Sequence, residues 1–188
     1  MGAHPRHAAR RGGVTAPDRP AGRAVVLLTG MSGAGKTAAL RGLAARGHAV
    51  ADLDYDGHSV LVRAPGQPVG WEQVWDLVRV RARIDAHGAG VLFLAGTAPN
   101  QSEVYDRLDA VVLLTAPREV LLARVAARTD NPYGKDAAGR AQIEHDIDAV
   151  EPLLRRGATH VVSSDRPLAD VVTDVERIAA GVVSAADG

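Results

Sequence analysis

The segment GMSGAGKT at residues 30–37 follows the apolar run AVVLL at 24–28, with only Thr29 between. It fits the pattern G-x-x-x-x-G-K-[ST], and that pattern dictates much of what the surrounding chain must do. A glycine-rich turn of this kind joins a buried strand to the first turn of a helix. Gly30, Gly33 and Gly35 admit backbone conformations closed to residues with a Cβ, so consecutive N–H groups can turn inward around phosphate oxygens. Lys36 is then placed to reach the β- and γ-phosphates, and the Thr37 hydroxyl to ligate Mg²⁺. The helix N-terminus adds its own attraction for anions. The stretch Gly33, Ala34, Gly35, Lys36, Thr37 and Ala38 is therefore expected to hold the phosphates of a nucleotide.

The rest of the chain fits that demand. At 188 residues it has room for one domain with a substantial core. Aromatics are only 3% of it, so the core must be mostly Val, Leu, Ile and Ala. A formal net charge of 0 offers no global attraction for nucleic acid or an anionic membrane. There is no cysteine, hence no disulfide framework and no thiolate chemistry, as suits a cytoplasmic protein. No apolar stretch approaches the ~20 residues that span a bilayer. The N-terminus lacks the apolar segment of a secretory signal. Residues 1–22, rich in Pro, Gly, Ala and Arg, read as a disordered basic tail.

Beyond the tail the pattern alternates. Strands are expected at 23–29, 48–54, 90–96, 109–116 and 158–164, with helices at 36–46, 117–128, 140–157 and 166–184. Pro152 is expected to kink or divide the third of these helices. Residues 55–70, with Gly57, Pro65, Gly66, Pro68 and Gly70, read as loop. In 71–87 the residues Trp71, Val74, Trp75 and Val78 fall at helical spacing, so a helix is expected there too. Apolar strands alternating with amphipathic helices indicate α/β architecture, a parallel sheet covered on both faces, in one domain over 23–185. Ligands of such sheets bind beyond the carboxyl ends of the strands.

The strand ends carry the polar chemistry. The second ends in Asp52, Asp54 and Asp56, and alternation puts Asp52 and Asp54 on one face. Two carboxylates beside phosphates call for a cation such as Mg²⁺. Asp54 could instead orient an acceptor hydroxyl or take its proton. Asp56 before Gly57 suits a turn cap. The third strand has no acid at its end; Gly96, Thr97, Asn100 and Gln101 follow, a small residue and uncharged hydrogen-bonding groups for a substrate or a helix cap. Arg124 and Arg128 share a helix face and precede a loop with Lys135, so cations there could close over transferring phosphate. Lys36 and Lys135 are the only lysines, against twenty arginines. Arg79 and Arg83 share another face and are candidates for an anionic group on the acceptor.

GMSGAGKT, the DLD of 52–54, the glycine after the third strand and the arginines before a short loop resemble the shikimate kinase and nucleoside monophosphate kinase group of P-loop kinases. The resemblance covers about residues 23–180. It implies a three-layer α/β/α fold on a five-stranded parallel sheet, a lid near 128–139, ATP and Mg²⁺. It also implies that Asp52 joins the magnesium shell with Thr37, and that Asp54 meets the acceptor hydroxyl. Gly96 and Thr97 would line the acceptor site, Arg83 would bind acceptor anions, and Arg128 would be the lid arginine. The segment SSDRP, with Arg166, would lie beside adenine. The function expected is transfer of the γ-phosphoryl group of ATP to a small-molecule hydroxyl by a monomer or homodimer. A nucleoside monophosphate kinase and a regulatory ATPase are the alternatives.

Overall fold

The computed structural model describes residues 22–65, 70–129 and 133–186. The tail expected over 1–22 lies outside them except for Gly22. In chain order the strands are β1 (Arg23–Thr29), β2 (Ala49–Asp52), β3 (Ser59–Arg63), β4 (Trp71–Trp75), β5 (Gly90–Ala95), β6 (Ala110–Thr115) and β7 (His160–Ser163). The helices are α1 (Lys36–Ala45), α2 (Leu77–Asp85), α3 (Arg118–Ala127), α4 (Ala137–Ala149), α5 (Glu151–Gly157) and α6 (Leu168–Ala186). A 3₁₀ segment, Gln101–Arg107, links β5 to β6.

Five strands form one parallel sheet in the order β2-β5-β1-β6-β7, the expected architecture. Strand β1 is central, and all its residues from Ala24 to Thr29 are buried. Its side chains alternate between two cores. Val26 and Leu28 pack with Leu40, Leu43, Val172 and Val175 from α1 and α6. Val25 and Leu27 pack on the other face with Trp75, Val80 and Ile84. A strand buried on both faces is therefore apolar at every position. This layering brings the carboxyl ends of β1, β2 and β5 side by side, and the phosphate loop, Asp52 and Thr97 with them.

The stretch from 55 to 75 departs from expectation. Residues 59–63, read as loop, and 71–75, read as helix, pair as an antiparallel hairpin, with Ser59 opposite Trp75 and Arg63 opposite Trp71. WEQVW alternates Trp71, Gln73 and Trp75 as well as it matches a helical stripe, and the β-rich SVLVR supplies its partner. The tryptophans thus share no helix face. Trp75 is 2% exposed in the core, whereas Trp71 is 46% exposed, with Arg63 over its ring at 5.3 Å. The helix begins only at Leu77, because the Asp76 side chain accepts from Val78 N at 3.1 Å and Arg79 N at 3.2 Å. Loss of such a cap costs about 1 kcal/mol; Asp76→Ala should show that loss in denaturant unfolding. The 140–157 helix is divided at Val150, with Pro152 in the first turn of α5.

Candidate active site

The phosphate loop is shaped by what its glycines lack. A Cβ on Gly30 would stand 2.3 Å from Leu114 O, and one on Gly33 would stand 2.4 Å from Leu121 O. The loop backbone therefore lies directly on β6 and α3, and no other residue fits at either position. Lys36 donates from Nζ to Gly30 O at 2.6 Å, folding back over the loop. It is half-buried, not exposed as an empty loop would suggest. Burial holds its pKa below the usual lysine value; Asp54 and Asp52 oppose that shift, and Arg128 adds to it. Beside the loop runs a cleft of about 630 Å³, whose walls include Lys36, Thr37, Asp52, Asp54, Arg124 and Arg128.

Asp52 closes β2 and is 8% exposed. Its Oδ2 accepts from Thr37 Oγ1 at 2.9 Å, and its Oδ1 accepts from Asp54 N at 3.2 Å. Asp56 caps the turn, accepting from Asp52 N at 2.8 Å. Burial pushes the Asp52 carboxyl above the usual aspartate range, while the Thr37 hydrogen bond opposes it and Asp54 reinforces it. A buried carboxylate and a hydroxyl side by side, next to a phosphate cradle, fit the oxygen ligands that Mg²⁺ takes from protein beside phosphate. The ordinary aspartate pKa is lower than the folded one, so Asp52's stabilising contribution is full at low pH. It is lost as pH rises through the folded pKa. Asp52→Asn, which keeps the neutral form, should therefore raise the thermal midpoint of the nucleotide-free protein at pH 7. It should also weaken the Mg²⁺ dependence of ATP binding. A lowered midpoint would contradict this account.

Asp54 is held from the β5 side. Thr97 N donates to its Oδ1 at 3.2 Å and Oδ2 at 3.3 Å, and Trp75 Nε1 donates to Oδ1 at 3.4 Å. Gly96 makes room: a Cβ there would stand 2.8 Å from Asp54 Oδ1 and 3.1 Å from Trp75 Cζ2. In the structure, then, Gly96 meets the Asp54 carboxylate and an indole. The Thr97 side chain turns to β1 and the phosphate loop. Its Oγ1 donates to Gly30 O at 2.9 Å, accepts from Gly30 N at 3.3 Å and contacts Thr29 Oγ1 at 3.2 Å. Gln101 is buried, accepting from Thr29 Oγ1 and donating to Tyr105 Oη. Asn100 bonds the backbone of Trp75.

The basic residues divide. Arg124 reaches across to the loop, donating to Gly33 O at 3.4 Å and to Ser164 Oγ and O at 3.1 and 2.8 Å. Arg128 ends α3 on the cleft wall and donates from Nη2 to Tyr133 O at 2.7 Å; its buried Nε has no hydrogen-bond partner among the described residues. Lys135 is drawn to the end of α3, donating to Ala126 O and Arg128 O. The lid expected at 128–139 includes 130–132, which lie outside the described residues. Arg166 borders a second recess of about 310 Å³ with Ala34, Ala38, Ser164, Leu168 and Val171. Its guanidinium, however, is bound to Ser163 O and Asp174. Arg83 lies on α2 and is absent from the walls of both recesses. Arg79 binds Gly57 O and Asp76. Trp75 and Gln73 were not expected near Asp54; only recognition of 71–75 as a strand would have placed them on one face together.

The five-stranded parallel sheet and the phosphate loop give the chain the α/β fold of the P-loop kinase type, and its relatives support an ATP-dependent kinase of small molecules. The AAA domain family matches residues 26–145, well over half of the chain, and the chain belongs to that family. It is 28% identical over 171 residues to a shikimate kinase of Nitratidesulfovibrio vulgaris, an alignment spanning 82% of this chain and 95% of the relative. Among solved structures, shikimate kinase from Acinetobacter baumannii in complex with shikimate superposes with a TM-score of 0.58 at 21% identity. That match covers 84% of this chain and 93% of that one. A gluconokinase from Sinorhizobium meliloti 1021 gives 0.55 at 18% identity, over 89% and 95% of the two chains. Among the described residues no helix is long and apolar enough to cross a membrane.

Proposed function

We propose that this protein transfers the γ-phosphoryl group of ATP to a hydroxyl of a small molecule, with Asp54 receiving the hydroxyl proton. The observation that carries the reading is the Asp54 carboxylate, held by Thr97 N on the wall of the cleft that also contains Lys36. The acceptor oxygen attacks the γ-phosphorus as its proton passes to Asp54, and ADP leaves with the bridging oxygen. The loop N–H groups and Lys36 hold the β- and γ-phosphates, while Arg124 and Arg128 supply positive charge from the wall of the same cleft. Mg²⁺, held by Thr37 and Asp52, would neutralise phosphate charge. The small residues Ala34 and Ala38, with Leu168 and Val171, suit the nucleoside end, and Arg166 would wall that recess as Asp174's partner.

The two arginines expected to meet an anionic acceptor, Arg79 and Arg83, favour a hydroxyl over a nucleoside monophosphate. An ionised phosphate acceptor needs cations, yet Arg83 is not on the cleft wall and Arg79 is engaged by Asp76 and Gly57 O. The relatives named for shikimate and gluconate, both hydroxyl compounds, support the same reading. Phosphate release separates this reading from a regulatory ATPase. A kinase releases phosphate feebly without acceptor and consumes ATP faster when its acceptor is added. Brisk release, indifferent to every hydroxyl compound tried, would overturn the proposal.

A further inference from the structure

We infer that the β3–β4 hairpin aims Asp54, with Trp75 and Gln73 as positioning residues. This rests on the reading of Asp54 as the group that meets the acceptor. Gln73 and Trp75 are two apart on β4 and so project from one face. Both reach Asp54: Trp75 Nε1 donates to Oδ1 at 3.4 Å, and Gln73 Nε2 donates to the main-chain O at 2.9 Å. The other strand joins in, because Ser59 Oγ donates to Leu53 O at 2.7 Å. Consecutive residues of the DLD segment are thus pinned from both arms of one hairpin.

The hairpin can transmit position because it is itself fixed at Trp75. That side chain is buried, and the Asn100 amide bonds both its backbone N and its backbone O at 3.0 Å. The indole meets the carboxylate in the slot left by Gly96. Thr97 N bonds the two carboxylate oxygens almost equally, which sets the plane but does not distinguish them. The indole N–H breaks that symmetry. Oδ1 accepts from two donors and Oδ2 from one, so Oδ2 is the oxygen left to take a proton from the acceptor. Hydrogen bonds in substrate-free sites are often long and tighten in the reacting complex, which suits the 3.4 Å contact.

The test uses the full chain, with water as the acceptor and acceptor-free phosphate release as the activity. Trp75→Phe, with folding checked by circular dichroism, should lower the turnover about tenfold, as loss of one donor to a charged group does. The KM for MgATP should stay within about twofold, since the phosphate loop is untouched. In an Asp54→Asn background the same change should have no further effect. Gln73→Ala, on an exposed side chain, is the second variant and should show the same split. Trp71→Phe leaves Trp75 as the single indole in a ¹⁵N spectrum, and its N–H peak should shift when Asp54→Asn is added. If Asp54→Asn releases phosphate normally, the reading of Asp54 fails and takes the inference with it. The inference alone is overturned by any of three results with Asp54→Asn impaired: normal turnover in both hairpin variants, equal losses with and without Asp54→Asn, or an indole peak that does not move.

Discussion

Lys36→Ala is expected to lose nucleotide binding while remaining folded. Lys36 is half-buried and bonds Gly30 O at 2.6 Å, so its removal costs the nucleotide-free protein no more than about one ordinary hydrogen bond, roughly 1 kcal/mol. The cost to the nucleotide complex is larger. The phosphate charges must sit in a cleft that already holds Asp52 and Asp54, and Lys36 is the cation the loop itself supplies. A ligand that binds only the folded state stabilises it by about 2.7 kcal/mol at about a hundred times its Kd. MgATP at such a concentration should therefore raise the thermal midpoint of the natural protein by several degrees and leave that of Lys36→Ala unmoved. An equal rise in both proteins would remove Lys36 from the phosphate site.

Asp54→Asn should have the opposite profile. Asn is nearly isosteric, and its Oδ1 can still accept from Thr97 N, so the pocket shape and the MgATP-induced thermal shift should be kept. What is lost is the ability to take a proton. General-base catalysis contributes about 10²- to 10⁴-fold, and transfer to a hydroxyl acceptor should fall by that factor. A phosphate acceptor is already ionised, so a nucleoside monophosphate kinase would tolerate the change. The two variants together separate holding the donor from activating the acceptor.

How much of this was legible in the sequence differs between donor and acceptor sides. The phosphate loop, the parallel strands and Asp52 at the end of β2 follow from local pattern, because an apolar run plus a glycine-rich turn leaves few structural options; Asp54, expected on the same strand, lies in the turn beyond it. The hairpin does not. Trp71, Val74, Trp75 and Val78 satisfy a helical stripe, and WEQVW satisfies alternation equally. The deciding facts are the pairing with residues 59–63 and the Asp76 cap, one of them tertiary. The pairing of long polar side chains is likewise invisible in one dimension. Arg166 is committed to Asp174 at an eight-residue separation, and Lys135 to carbonyls at the end of α3. Thr97 turns to Gly30, 67 residues away in sequence. Gly96 illustrates the middle case: a small residue was expected there, but its structural neighbours are the Asp54 carboxylate and the Trp75 indole.

Phosphoryl transfer to a hydroxyl can be observed directly. The most direct measurement is transfer of label from γ-labelled ATP to a panel of polyols, nucleosides, nucleoside monophosphates and amino sugars, with Asp54→Asn run in parallel. A labelled phosphomonoester should form from a hydroxyl compound and disappear in the variant. Label found only in free phosphate, or only in nucleoside diphosphate and undiminished by Asp54→Asn, would contradict transfer to a hydroxyl.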